Sequence, residues 1–205
     1  MKLYYSPGAC SLAPHMVLHE SGLPFEAVRT DTRTKALADG GEGAYFNINP
    51  LGYVPLLALG DGTRITEVGA IVQYVADRVP DKKLAPPAGT IERTRLHSWL
   101  SFISSELHKS CSPLFVPTMP DEGKQYYRDR LANRLAHVEK HLAAGNDYLL
   151  GKDFSVADAY LFAITNWAGR LNIDLAPYPA LLAYRQRMAQ RPAVVAAMTA
   201  EGLIK

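Results

Sequence analysis

The segment Lys2 to Leu18, KLYYSPGACSLAPHMVL, joins a short Tyr-rich run and a Ser-Pro-Gly turn to a single cysteine at the mouth of a helix-like pattern. Pro14 has no backbone NH and is tolerated only in the first turn of a helix, so Cys10 is expected at or just before that helix's N-terminus. There the partial positive charge of the helix end favours thiolate over thiol and lowers a cysteine pKa below its free value of about 8.5. In a paired-cysteine oxidoreductase the second thiol would stand at position 13, which is Ala13 here. Thiol exchange at Cys10 therefore needs its second sulfur from a small thiol or from another protein. The alternative is a small, buried, inert side chain. The local sequence leaves both open, and it likewise leaves Ser11 as a helix cap or as a hydroxyl donor to a bound thiolate.

Other residues have the right chemistry for a ligand site. Val54-Pro55 stands at a strand entrance, where a cis bond would turn the Val54 NH and C=O toward an extended, peptide-like ligand. Thr66-Glu67 puts a carboxylate at the start of a helix, either complementing the helix dipole or meeting a ligand ammonium. Lys35 reads as a solvated lysine and His108 as a helix-surface histidine. Ser155, three residues before Asp158 and preceded by Phe154, is a helix-start signature with a hydrophobic staple. Phe115, Tyr160 and Trp167 fall at helical positions and read as core aromatics.

The chain has 205 residues, enough for one large domain or two small ones. With 48% hydrophobic and 20% charged residues and a net charge of +2, it reads as a soluble protein with little electrostatic reason to hold nucleic acid or a membrane surface. It has no membrane-length apolar run, and Pro7, Gly8, Pro14 and His15 interrupt any signal-peptide pattern, so a cytoplasmic location is expected. The two cysteines, Cys10 and Cys111, have no metal-ligand spacing, and the six histidines form no helical pair backed by carboxylates. No metal site is expected.

These residues must be held by elements that the pattern outlines. Residues 2–6 read as a strand, Leu12 to His19 as a helix stopped by Gly22 and Pro24, and Phe25 to Thr30 as a second strand, together a βαβ unit. A polar excursion, TRTKALADGGEGAYFNINP, follows. Val54 to Leu59, the turn Gly60-Asp61-Gly62 and Arg64 to Thr66 read as a hairpin. Glu67 to Arg78 is an amphipathic helix with Val68, Ile71, Val72 and Val75 on its apolar side. The proline-rich stretch 80–89 marks a boundary, beyond which helical patterns span about 91–109, 121–142, 155–171 and 178–190. The expected division is 1–80, a linker 81–89, and an all-helical 90–205.

Taken together, MKLYYSPGACSLAPH, NPLGYVPLL, TEVGAIVQYVAD, SSELHKSCSPLF, FSVADAYLF and AEGLIK resemble, in order and spacing, the bacterial beta-class glutathione transferases along essentially the whole chain. The resemblance implies an α/β thioredoxin-like N-terminal domain followed by an all-α domain, and a homodimer with glutathione bound between the two domains. It implies that Cys10 and His108 serve catalysis near the sulfur. Val54 would pair its backbone with the cysteinyl part of glutathione, beside a cis Pro55. Glu67 would hold the γ-glutamyl ammonium, the Val68 NH its carboxylate, and Lys35 the glycine carboxylate. Ser101, Ser105, Glu106 and His108 belong to the segment that closes the site, partly from the neighbouring subunit. Val68 replaces a residue often serine or glycine in this fold, and Ser101 stands where close relatives have asparagine. The implied activity is transfer of the glutathione thiolate to a hydrophobic electrophile, with disulfide exchange or peroxide reduction through Cys10 as a variant. A glutathione-dependent dehalogenase of chlorinated aromatics and a non-catalytic binder of hydrophobic ligands are the alternatives.

Overall fold

The computed structural model describes residues 1–37 and 40–205. By packing it divides into two compact units, Met1–Leu84 with Arg191–Lys205, and Ala85–Gln190.

The first unit is built on a four-stranded mixed sheet in the order β2-β1-β3-β4, from β1 (Lys2–Tyr5), β2 (Glu26–Arg29), β3 (Leu56–Ala58) and β4 (Arg64–Thr66). β1 and β2 are parallel, with Leu3 opposite Ala27, while β1 with β3 and β3 with β4 are antiparallel. Leu3 and Leu57 face each other across the central pair, and both are fully buried. α1 (Leu12–Ser21) supplies the crossover and is buried along almost its whole length, from Leu12 to Leu18 and again at Ser21, with His15 among the buried side chains. Gly22 ends it in the left-handed conformation, as its lack of a Cβ permits. The β3–β4 turn uses Asp61, whose carboxylate accepts from the Thr63 NH at 2.9 Å. α2 (Val68–Asp77) buries Val68, Ile71, Val72 and Val75. The polar excursion includes Ala38 and Asp39, which lie outside the described residues. Its described parts hold bridges Thr30–Leu37 and Leu37–Gly41 and a 3-10 turn at Ala44–Asn47.

In the second unit, α3 (Ile91–Phe102) starts on Thr90, whose hydroxyl accepts from the Arg93 NH at 3.1 Å. It runs into a π-helical segment, Ile103–His108, and then a last turn, α4 (Lys109–Cys111). α5 (Asp121–Ala143) buries a stripe of Leu131, Leu135, Val138 and Leu142. α6 (Val156–Thr165) is buried at all ten positions and forms the centre of this unit, and α7 (Pro179–Ala189) packs on α5.

Three elements differ from the sequence reading. α6 ends at Thr165 rather than near 171, where Arg185 bonds the Thr165 hydroxyl at 2.8 Å and the Asn166 amide oxygen at 3.0 Å. The π segment is invisible to a 3.6-residue pattern. A separate helix, α8 (Pro192–Ala200), follows Pro192, which starts it rather than merely dividing. The segment PAVVAAMTA is small and apolar without periodicity, so it carries no face to read. α8 packs on α1 in the first unit, so the last fifteen residues group there and not with the helical span 90–205.

Candidate active site

Cys10 sits in the tight turn between β1 and α1. Ala9 NH bonds Ser6 O at 3.0 Å, Leu12 NH bonds Ala9 O at 3.0 Å, and Ala13 NH bonds Cys10 O at 3.1 Å. Pro14 thus falls in the first turn of α1, where its missing NH leaves no broken bond. Ser11 makes no side-chain cap; its hydroxyl donates to Ser6 O at 3.2 Å and accepts from Ser6 NH at 3.1 Å, bracing the turn from inside.

The Cys10 thiol donates to the Val54 carbonyl at 3.3 Å. Val54-Pro55 is a cis bond. The carbonyl just before Val54, that of Tyr53, is held by the Tyr45 hydroxyl at 2.8 Å and the Asn49 amide at 2.7 Å. Those two bonds fix the approach of the chain to the strand entrance, and with it the edge that Val54 presents beside the thiol.

The local sequence leaves the Cys10 side chain open between thiolate and inert thiol, and its burial favours the thiol. The residue is only 8% exposed, and burial pushes its thiol up to about 12, since a thiolate there loses its water. Backbone NH groups of the turn work in the opposite direction, and the carboxylates of Glu67 and Glu201 add to the rise. The helix-mouth NH groups are present, but desolvation outweighs them.

Glu67 precedes α2 with φ 67° and ψ 125°. A residue with a Cβ rarely adopts this conformation, which costs on the order of 1–3 kcal/mol and clusters at ligand sites. It leaves the carboxylate exposed at the helix start, next to the buried Val68 and the first-turn NH groups. Lys35 also has a positive φ, 57°, and its ammonium donates to the Thr32 carbonyl. Its loop is tied by Asp31, whose carboxylate accepts from the NH groups of Arg33 at 2.7 Å and Thr34 at 3.0 Å. Gly52, φ 65°, lies against this loop; a Cβ there would come within 2.8 Å of the Phe46 ring and 3.0 Å of the Lys35 stem. Cys10, Lys35, Val54, Pro55, Glu67 and Val68 thus all belong to the first unit.

Ser101, Ser105, Glu106 and His108 belong to the second. They lie on α3 and the π segment, where serine hydroxyls turn back onto carbonyls four residues earlier. Ser105 donates to Ser101 O at 2.9 Å, Ser110 to Glu106 O at 2.5 Å and Ser112 to His108 O at 3.1 Å. Such back-bonding competes with the helical ladder and bends it, and π turns are frequent at functional sites. The sequence pattern reads 91–109 as one regular helix; the serine-rich string SSELHKSCS is the feature that could have marked the irregularity. Glu106 accepts from Arg130 at 2.9 Å and Arg134 at 2.7 Å, and the hydrogen bond from Arg134, with both charges, holds its carboxyl below the usual range. His108 Nδ1 is 2.8 Å from the Tyr160 hydroxyl, and its ring meets Trp167 edge-on at 5.1 Å. Burial lowers His108 to about 4, with the Lys109 charge adding to the effect, so the imidazole is neutral near pH 7. Phe115 packs edge-on against Trp167 at 5.2 Å, so the three aromatics read as core form one cluster around His108.

Two residues were missed. Glu201, at the end of α8, accepts from the Gly8 NH at 2.8 Å and pairs with His15 at 2.9 Å. Position 201 carries no sequence signal for this, because 193 residues separate it from Gly8. No carboxylate near His15 in the chain announced its partner either. Among the described residues no group of three or more His, Cys, Asp or Glu is arranged for a metal ion, and no helix is long and apolar enough to cross a membrane.

Comparison with known proteins accords with this geometry. Residues 8–78 match the family model "Glutathione S-transferase, N-terminal domain" and residues 102–192 match "Glutathione S-transferase, C-terminal domain". The chain is 45% identical over 203 residues to glutathione S-transferase GstA of Escherichia coli O157:H7, covering 99% of this chain and 100% of that one. Among solved structures, a sphingomonad glutathione S-transferase complexed with glutathione is 48% identical with a TM-score of 0.94, over 100% of both chains. The bacterial beta class glutathione S-transferase of Sphingomonas chungbukensis is 47% identical with a TM-score of 0.94, again over 100% of both. With its thiol, cis-proline edge and helix-start carboxylate in one unit and its helical companion unit, the chain belongs to the glutathione S-transferase family.

Proposed function

We propose that the protein is a cytoplasmic homodimer that binds glutathione and transfers its thiolate to a hydrophobic electrophile. The observation that supports this best is the Cys10 thiol lying against the Val54 carbonyl at the cis-proline edge. An extended, peptide-like thiol pairing with Val54 would bring its own sulfur beside Cys10. In this reading Glu67 and the Val68 NH take the γ-glutamyl group, Lys35 takes the glycine carboxylate, and His108 faces the sulfur. Ser101, Ser105 and Glu106 close the site, in part from the second copy. Each contact pairs a charge or donor with its complement.

Cys10, held as a thiol by burial, suits the role of hydrogen-bond donor to the glutathione thiolate better than that of nucleophile. Catalysis then rests on a lowered glutathione pKa and on holding the two reactants together. The test is conjugation of glutathione to 1-chloro-2,4-dinitrobenzene by the wild type and by Cys10→Ala. The expected result is activity in both, with the variant reduced by no more than about a thousandfold, the upper end of the cost of one lost stabilising donor. Complete loss in a folded variant would make Cys10 the nucleophile, and an inactive wild type would remove the transferase reading.

A further inference from the structure

Glu201 is the most deeply buried carboxylate near Cys10: its side chain is 0% exposed and that of its partner His15 is 1% exposed. One oxygen accepts from the Gly8 NH at 2.8 Å, and the other lies 2.9 Å from His15 Nδ1. Gly8 is two residues before Cys10 in the same turn and has φ +69°; a Cβ on it would stand 3.4 Å from Leu203. The turn that displays the thiol is therefore held from inside by Ser11 and from outside by the C-terminal end of the chain. His15 is in turn packed by ring contacts with Tyr5, His19 and Phe25. α8 is separately anchored by Arg191, which bonds Glu20 at 2.7 Å.

Sealing α8 onto α1 does not require a charge. An apolar contact of the same volume is often as stabilising as a buried ion pair or more so. What the carboxylate adds is a directed, charge-assisted bond to one backbone NH. We propose that Glu201 is a positioning residue for the active site, fixing the Gly8–Ala9–Cys10 turn so that the thiol meets the Val54 carbonyl. The proposal rests on the reading of Cys10 as an active-site group. The charge of Glu201 also reaches the thiol, being one of the two carboxylates that raise it. The other is Glu67; the backbone NH groups of the turn oppose both. This gives the residue an electrostatic signature that a merely structural contact lacks.

The test is the rate of Cys10 alkylation by iodoacetamide as a function of pH, followed by mass on the Cys10 peptide. Glu201→Gln keeps an acceptor for Gly8 and removes the charge. With one of the charges that raise the thiol removed, alkylation at pH 8 is expected to be faster than in the wild type. Glu201→Asp keeps the charge but withdraws it by one methylene. It is expected to speed hydrogen exchange of the Gly8 amide by at least about tenfold, the factor for a loss of about 1.4 kcal/mol of protection. Unchanged Gly8 exchange in folded Glu201→Asp overturns the proposal, since the bond to that amide is what holds the turn. If that variant does not fold, alkylation at pH 8 no faster than in the wild type in Glu201→Gln overturns it instead. Neither readout uses glutathione, so a wild type that fails to bind glutathione would refute the proposed function without deciding this point.

Discussion

Cys10 in the first unit and His108 in the second are the groups whose protonation bears most on the proposed function, and in both burial outweighs the local sequence. The chain around Cys10 has the helix mouth and the first-turn proline of an activated cysteine, and both are present in the fold. What the local sequence could not supply is the influence of distant residues on the thiol, the Val54 carbonyl that it meets and the charge of the acid at position 201. His108 read as a surface histidine for the same reason, since Tyr160 and Trp167 are more than fifty residues away. Its folded pKa, about 4, lies below its ordinary value near 6.5, so the folded state binds the proton less well than the unfolded chain does. The stability it contributes is therefore present above pH 6.5 and is lost as pH falls from 6.5 toward 4. Asp158, raised to about 6 by burial, works in the opposite direction, so the measurement must compare two chains. Denaturant unfolding of wild type and His108→Gln at pH 7.5 and 5 is expected to show the wild type losing about 2 kcal/mol more than the variant over that interval.

Among the elements, those with a clear period were legible and those defined by their exceptions were not. The βαβ unit, the hairpin and α2 follow from alternation, from Gly22 and the Gly60-Asp61-Gly62 turn, and from a 3–4 spacing of valines and isoleucine. α8 has no apolar stripe, and the π segment replaces the period by serine back-bonds. The start of α6 was readable because its signature is local. Asp158 accepts from the Ser155 NH at 2.8 Å and its hydroxyl at 2.9 Å, and the other oxygen also accepts from the Leu149 NH at 2.8 Å. The latter bond was not foreseeable from the motif, and it makes Asp158 a tie between the 149–151 turn and the central helix. Asp158→Ala would leave two buried NH donors without an acceptor, at about 1–3 kcal/mol each. Thermal or denaturant unfolding is expected to show a loss of about 3 kcal/mol, whereas a loss below about 1 kcal/mol would mean that water or a repacked Ser155 replaces it.

For the whole molecule, the order of elements identified a mixed α/β unit followed by helices, because composition changes at residues 80–89 and strand patterns stop there. The return of the last fifteen residues to the first unit was not readable, since it depends on the buried contacts of Glu201 and Arg191 and not on any feature of the segment itself. The central claim is that these elements form a glutathione site in which Cys10 attends the ligand's sulfur as a thiol. Calorimetric titration of the wild-type chain with reduced glutathione, followed by intact mass under non-reducing conditions, tests it most directly. The account predicts saturable binding at one site per chain and an unmodified mass. No heat of binding, or a glutathione adduct on Cys10 as the main species, would contradict it.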